Sequence, residues 1–200
     1  MTDEDVARPT SHYPPADITP AQFESFVADL LWSAQPDVDD LKVTLHESIT
    51  GVDGTYDFDA TIRYQLAGMD FLVLVEAKRH KNPIKRELVQ VLREKILSVG
   101  AQKGVMISTA PYQSGALNFA KTHGIALVTV TEGRFTFESR GANQPPLMTR
   151  EEAWEKFRVP TFVGHCYGPG ASPNSTAVTL VSSKDTERVA DLLLAFPQAS

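Results

Sequence analysis

The string Phe71-Leu72-Val73-Leu74-Val75-Glu76-Ala77-Lys78 is an apolar run that ends in Glu-x-Lys. On a strand, residues two apart project to the same face, so Glu76 and Lys78 stand together. Upstream, Phe58, Ala60, Ile62, Tyr64 and Leu66 alternate with Asp59, Thr61, Arg63 and Gln65. After Ala67-Gly68, Met69, Phe71, Val73, Val75 and Ala77 form a second apolar parity. The pattern predicts a β-hairpin with one fully apolar face. A turn centred on Ala67-Gly68 sets Asp59 directly opposite Glu76, with Cβ atoms about 5 Å apart. Two carboxylates so placed repel each other unless a cation holds them. Mg²⁺ suits this role, since it accepts oxygen from one or two carboxylates and keeps several waters. Lys78 would stand beside the ion, where it could orient or deprotonate a water or stabilise charge on a phosphate. The metal would supply the nucleophile and neutralise the phosphate.

A phosphate partner is also suggested by how charge is distributed. The 200 residues carry a net charge of -6. From Lys78 to Lys103, however, Lys78, Arg79, Lys81, Lys85, Arg86, Arg93, Lys95 and Lys103 face only Glu87 and Glu94. Eight basic against two acidic residues leave this segment at +6 and the rest at -12. A basic segment on an acidic chain is a plausible phosphate-binding face, although a helix with internal ion pairs, such as Glu87 with Lys95, gives the same pattern.

These residues need elements to position them. Thr19-Pro20-Ala21-Gln22 reads as a helix start, with Thr as N-cap, Pro at the first position and Gln closing a capping box. Phe23, Phe26, Val27, Leu30 and Leu31 give that helix one apolar face. Val43 to Ile49 alternates as a strand, and Gly51 to Gly54 as a turn. After Pro83, Leu88, Val89, Leu92 and Ile96 trace a helix ending near Gly100. Gly104 to Thr109 and Ile125 to Val130 read as buried strands, with a helix from Ser114 to His123 between them. Arg134 to Glu138 alternates as an edge strand. The order α-β-β-β-α-β-α-β-β predicts an α/β fold with a mixed central sheet and helices on both faces. Residues 1–17 read as a flexible arm and 139–148 as a linker. Residues 141–200, which include most of this linker, read as a small C-terminal α+β extension: a capped helix from Thr149 to Phe157, a glycine- and proline-rich loop from Gly164 to Ser175, a strand from Ala177 to Ser182 and a helix from Lys184 to Phe196.

Asp…Glu-x-Lys on a hairpin in this order resembles the PD-(D/E)XK nuclease superfamily. The Phe23-Glu24 helix opening, GVDGTYDFDA, VEAKRHKNPI, KGVMIST and HGIALVTV resemble its Mrr-like restriction endonuclease branch, over roughly residues 19 to 132. The resemblance implies a restriction-endonuclease-like core over residues 18–140 and metal-dependent hydrolysis of DNA in restriction or defence. A structure-specific repair nuclease and a non-catalytic nucleic-acid-binding or assembly module on the same fold are the alternatives. It also implies Mg²⁺ at Asp59 and Glu76, with Mn²⁺ able to substitute, and Lys78 as the catalytic lysine. Glu24 matches a helix acid that often joins such sites. Asp57 shares the parity of Asp59 and is the fallback for it, and Gln90 is a polar helix residue that can reach the site in related nucleases. Arg79, Lys81, Lys85 and Arg86 are candidates for phosphate contacts, which position DNA without reading its sequence. No proline precedes Asp59, as in many members, and the tail beyond about 140 matches no known pattern.

Other chemistries find little support. Cys166 is the single cysteine, so no internal disulfide forms. His165, Cys166 and His123 lack zinc spacing, and Gly164 to Gly170 lacks the Lys-Ser/Thr of a P-loop. His80 follows the motif and could shuttle a proton, but reads as a surface residue. No apolar run approaches the ~20 residues that span a membrane. The opening MTDEDVARPTSHYPPAD lacks the features of a secretory signal, and a cytoplasmic location is expected. No DNA-reading module is visible, so a homodimer and a partner protein for target selection are both open.

Overall fold

The computed structural model describes residues 16–33, 38–135, 148–169 and 176–194. The predicted arm up to residue 15, the linker residues 139–147 and the end of the last helix therefore lie outside the described residues, as do Thr136 to Glu138 of the predicted edge strand.

Helix α1 runs Pro20–Ser33, followed by strands β1 (Asp39–Thr50), β2 (Thr55–Leu66) and β3 (Met69–Lys78). Next come α2 (Arg86–Val99), β4 (Lys103–Ser108), α3 (Ser114–His123) and β5 (Ala126–Glu132). The chain continues through α4 (Arg150–Phe157), β6 (Phe162–Pro169), β7 (Thr176–Val181) and α5 (Thr186–Leu194). The seven strands form one mixed sheet in chain order. β3, β4 and β5 are parallel, and the pairs on either side of them are antiparallel.

The local signals account for the boundaries. The Thr19–Gln22 capping box forms, with Gln22 N donating to Thr19 Oγ1 at 3.3 Å and Thr19 N to Gln22 Oε1 at 2.9 Å. Gly100 and Gly124 close α2 and α3 in the left-handed conformation, where a Cβ is costly. The hairpin turns at Ala67 and Gly68 with φ of 51° and 76°. This is the two-residue turn whose twist matches paired strands. Its register follows, with Leu66 opposite Met69 and Ala60 opposite Val75.

Two apolar layers cover the sheet. On one face Phe23, Val27, Leu30 and Leu31 of α1 and Val189, Leu192 and Leu193 of α5 pack on Ala60, Ile62, Val73, Val75, Val105 and Ile107. On the other, Val89, Leu92 and Ile96 of α2 and Ala116, Leu117 and Ala120 of α3 pack on Leu74, Met106 and Leu127. Strand β3 is therefore apolar on both faces, with Leu72 and Leu74 towards α2 and Val73 and Val75 towards α1. Phe58 joins the α2 layer although Ala60 and Ile62, of the same parity, join the α1 layer. Both strands change face between these positions. The His46–Asp59 rung is missing from a β1–β2 register that is otherwise continuous from Lys42–Arg63 to Thr50–Thr55, and His46 has a φ of 51°.

The C-terminal segment continues the same sheet. Gly164 to Pro169, expected as loop, belongs to β6. Gly164 serves packing rather than turning: an added Cβ would lie 2.6 Å from Val128 Cγ1 and 2.9 Å from Val181 Cγ2. Glycine in a strand often marks such a close approach. The expected edge strand from Arg134 does not begin there. The chain turns at Gly133 and Arg134 instead, where Arg134 Nε donates back to Glu132 Oε2 at 2.8 Å.

Candidate active site

Asp59 sits where β2 stops pairing with β3. The last β2–β3 rung is Ala60–Val75, and the register continued one step sets Asp59 opposite Glu76. Beyond that rung, Asp59 Oδ2 accepts the Ala77 amide at 2.7 Å. The side chain thus satisfies a backbone donor that the ladder no longer reaches.

Glu76 is 4% exposed, and a buried carboxylate needs charged or polar partners. It has two. Lys78 Nζ donates to Oε2 at 2.7 Å, which bears out the expectation that the two side chains share a face. Lys95 of α2 donates to Oε1. Its ammonium also lies 3.4 Å from Asp57 O and 5.2 Å from the centroid of the Phe58 ring. Lys95 therefore pairs with Glu76 rather than with Glu87.

Sequence reasoning missed Lys95 as a member of this site. The signal was present, since Leu88, Leu92, Lys95 and Val99 fall on one stripe of α2, and a lysine inside an apolar stripe needs a partner.

The end of β3 is fastened to the end of β4. Thr109 N donates to Lys78 O at 3.1 Å, and the Thr109 hydroxyl donates to His80 O while accepting from His80 N, each at 3.0 Å. Ile84, fully buried, anchors the far end of the loop by bonding Pro111 and Gln113. Lys81 between these anchors and Lys85 directly after Ile84 are exposed. Arg79 is also exposed, with its Nε 3.3 Å from Ile18 O just before α1. Arg86 lies over the Phe119 ring at 5.2 Å.

The other expected members are Glu24, Asp57 and Gln90. Glu24 is exposed on α1, and Arg79 Nε reaches from the end of β3 to Ile18 O just before that helix. Asp57 is exposed and accepts from the Ser48 hydroxyl. Gln90 is half-buried on α2.

The donor set fits a hard divalent cation. Asp59 and Glu76 come from neighbouring strands and offer carboxylate oxygen, which suits Mg²⁺ or Mn²⁺ rather than a soft metal. Among the described residues no group of three or more His, Cys, Asp or Glu gathers in a way that could hold a metal.

A restriction endonuclease family model, Mrr_cat, matches residues 15–132. The chain belongs to this restriction endonuclease family, as the hairpin motif implied. No curated protein matches it. Among solved structures it is similar to AF1548, a protein of unknown function, at 17% identity and a TM-score of 0.42, over 52% of this chain and 54% of that one. It is also similar to AspBHI, a DNA modification-dependent restriction endonuclease, at 22% identity and a TM-score of 0.37, over 55% of this chain and 28% of that one. The chain thus spans little more than half of one of these proteins and about a quarter of the other. Among the described residues, no helix is long and apolar enough to cross a membrane.

Proposed function

We propose that the chain is a metal-dependent endodeoxyribonuclease of restriction or defence type, acting at Asp59, Glu76 and Lys78. The observation that carries this reading is the nearly buried Glu76, which shares its carboxylate with Lys78 beside the strand opening where Asp59 stands. In this reading Asp59 and Glu76 hold Mg²⁺, or Mn²⁺ in its place. When bound, the ion supplies an activated water and neutralises the scissile phosphate. Lys78 orients that water or stabilises charge on the phosphate. Arg79, Lys81 and Lys85 grip the flanking backbone, and Arg86 contributes from the start of α2. Glu24 of α1 is the further acid that joins the site. One such site cuts one strand, so cutting a duplex needs two copies, as a homodimer or with a partner protein that brings them to a target.

The test is cleavage of plasmid DNA at low salt with Mg²⁺ or Mn²⁺. Cleavage by the parent that is absent in Lys78→Ala and with chelator supports the reading. Equal cleavage by parent and Lys78→Ala contradicts it. No cleavage of methylated, unmethylated, single-stranded or branched DNA favours the binding module.

A further inference from the structure

Lys95 occupies the place that a shared metal would need. β2 and β3 separate after Ala60–Val75, and the Lys95 ammonium lies in that opening, between Asp57 O of β2 and Glu76 Oε1 of β3. An ion held by one carboxylate from each strand has to sit between the same two strands. Lys78 belongs to β3 itself and takes the other oxygen, Oε2. The two lysines also differ in access, with the Lys95 side chain 19% exposed and that of Lys78 33% exposed. Lys95 reaches the opening from beneath, along the Phe58 ring. Ordering a lysine so far inside costs desolvation and side-chain entropy. The salt link to Glu76 and the ring contact offset that cost. A divalent cation and an ammonium compete for Oε1, because they repel each other at contact distance.

We propose that Lys95 is a resident counter-ion of the metal position, which holds Glu76 Oε1 until a divalent cation displaces it. Lys95 is thus a positioning residue that sets the metal affinity of the site. The inference rests on the reading of Glu76 as a metal ligand. It predicts that the metal-free protein keeps Glu76 paired and binds metal weakly.

The experiment is a Mn²⁺ binding isotherm of the full chain without DNA, by calorimetry and electron paramagnetic resonance. It is run on the parent, Lys95→Met, Lys95→Gln and Glu76→Gln. Lys95→Met keeps the stem over Phe58, and Lys95→Gln supplies a second neutral variant if the first does not fold. The neutral variants are expected to bind Mn²⁺ about tenfold more tightly or better, the factor that a lost charge-assisted hydrogen bond represents. Their metal-free melting temperature should fall below that of the parent, and Mn²⁺ should raise it by more. Glu76-dependent binding in the parent, with equal or weaker affinity in the folded Lys95 variants, overturns the role of Lys95 alone. Absence of any binding that Glu76→Gln abolishes overturns the metal reading and this inference with it.

Discussion

Replacing Glu132 by glutamine is expected to cost the fold about 2–3 kcal/mol at pH 7, from the loss of charge-assisted bonding. Glu132 ends β5 and is 2% exposed. Its Oε2 accepts from Arg134 Nε at 2.8 Å and from Arg150 Nε at 3.0 Å, and its Oε1 accepts the Asp17 amide at 3.3 Å. Arg150 donates on to Asp17 O at 2.9 Å and Arg134 to Met148 O at 3.1 Å. One acid therefore joins the approach to α1, the turn after β5 and the start of α4. Glutamine keeps the shape but removes the anion that both guanidiniums bond. Each charge-assisted bond is worth about 1.5–3 kcal/mol net, against about 1 for a neutral one. The arginine side chains are 26% and 31% exposed, so they recover hydration, and the total stays below the roughly 3–5 kcal/mol of a fully buried pair. For a chain of this length the melting temperature should drop by about 5–10 °C.

Urea unfolding of parent and variant across pH measures this gap. Burial pushes the Glu132 carboxyl up, but the Arg150 bond, the Asp17 amide and the charges of Arg134 and Arg150 outweigh it and hold it below the usual glutamate range. A depressed carboxyl contributes stability above its unfolded pKa and loses it as pH falls through the folded value. The gap should therefore be full at pH 7 and close in acid, below the ordinary glutamate range. A gap under about 0.5 kcal/mol at pH 7, the size of a neutral surface change, or one that does not narrow in acid, would refute the reasoning.

Ala67→Asn should stabilise the hairpin by about 0.5–1 kcal/mol, because Ala67 holds a φ of 51° that asparagine adopts more readily; thermal unfolding checks it, and a loss would mean that the side chain matters more than the turn. Burial at the start of β4 lowers Lys103 to about 8, against the opposing charge of Asp191. Lys103→Met should therefore be more stable than the parent at pH 7, with the advantage fading as pH rises from there towards the ordinary lysine value of about 10.4. Denaturant titrations at both pH values decide this, and a loss at pH 7 would show that the partners of Lys103 outweigh its burial. Lys81→Ala and Lys85→Ala should each weaken DNA binding on any sequence and reduce the slope of log affinity against log salt by about 0.9, read by fluorescence anisotropy; an unchanged slope would remove that residue from the phosphate contacts.

The hairpin was legible because its evidence is local. Alternation sets the strands, Ala67-Gly68 sets the turn, and together they fix which residues oppose. The capping box at Thr19, and the glycines ending α2 and α3, are local in the same way. The break at His46 and Asp59 left no trace in the alternation, since Phe58 and Ala60 share a parity and both are apolar; only packing assigns them to opposite faces. Gly164 misled for the opposite reason. Its glycine reads as loop, yet Val128 and Val181 leave no room for a side chain. Lys95 lies 19 residues from Glu76 along the chain, so their contact depends on how α2 docks on β3, which spacing within one element does not reveal.

The most direct test of the central claim is single-turnover cleavage of supercoiled DNA by Asp59→Asn, Glu76→Gln, Lys78→Ala and the triple variant, with saturating Mg²⁺. Residues that act as one catalytic unit lose activity non-additively. Each single change is therefore expected to remove nearly as much activity as all three together, on the order of a thousandfold or more. A single variant that keeps near-parental activity, or losses that multiply in the triple variant, would contradict a shared hydrolytic site at Asp59, Glu76 and Lys78.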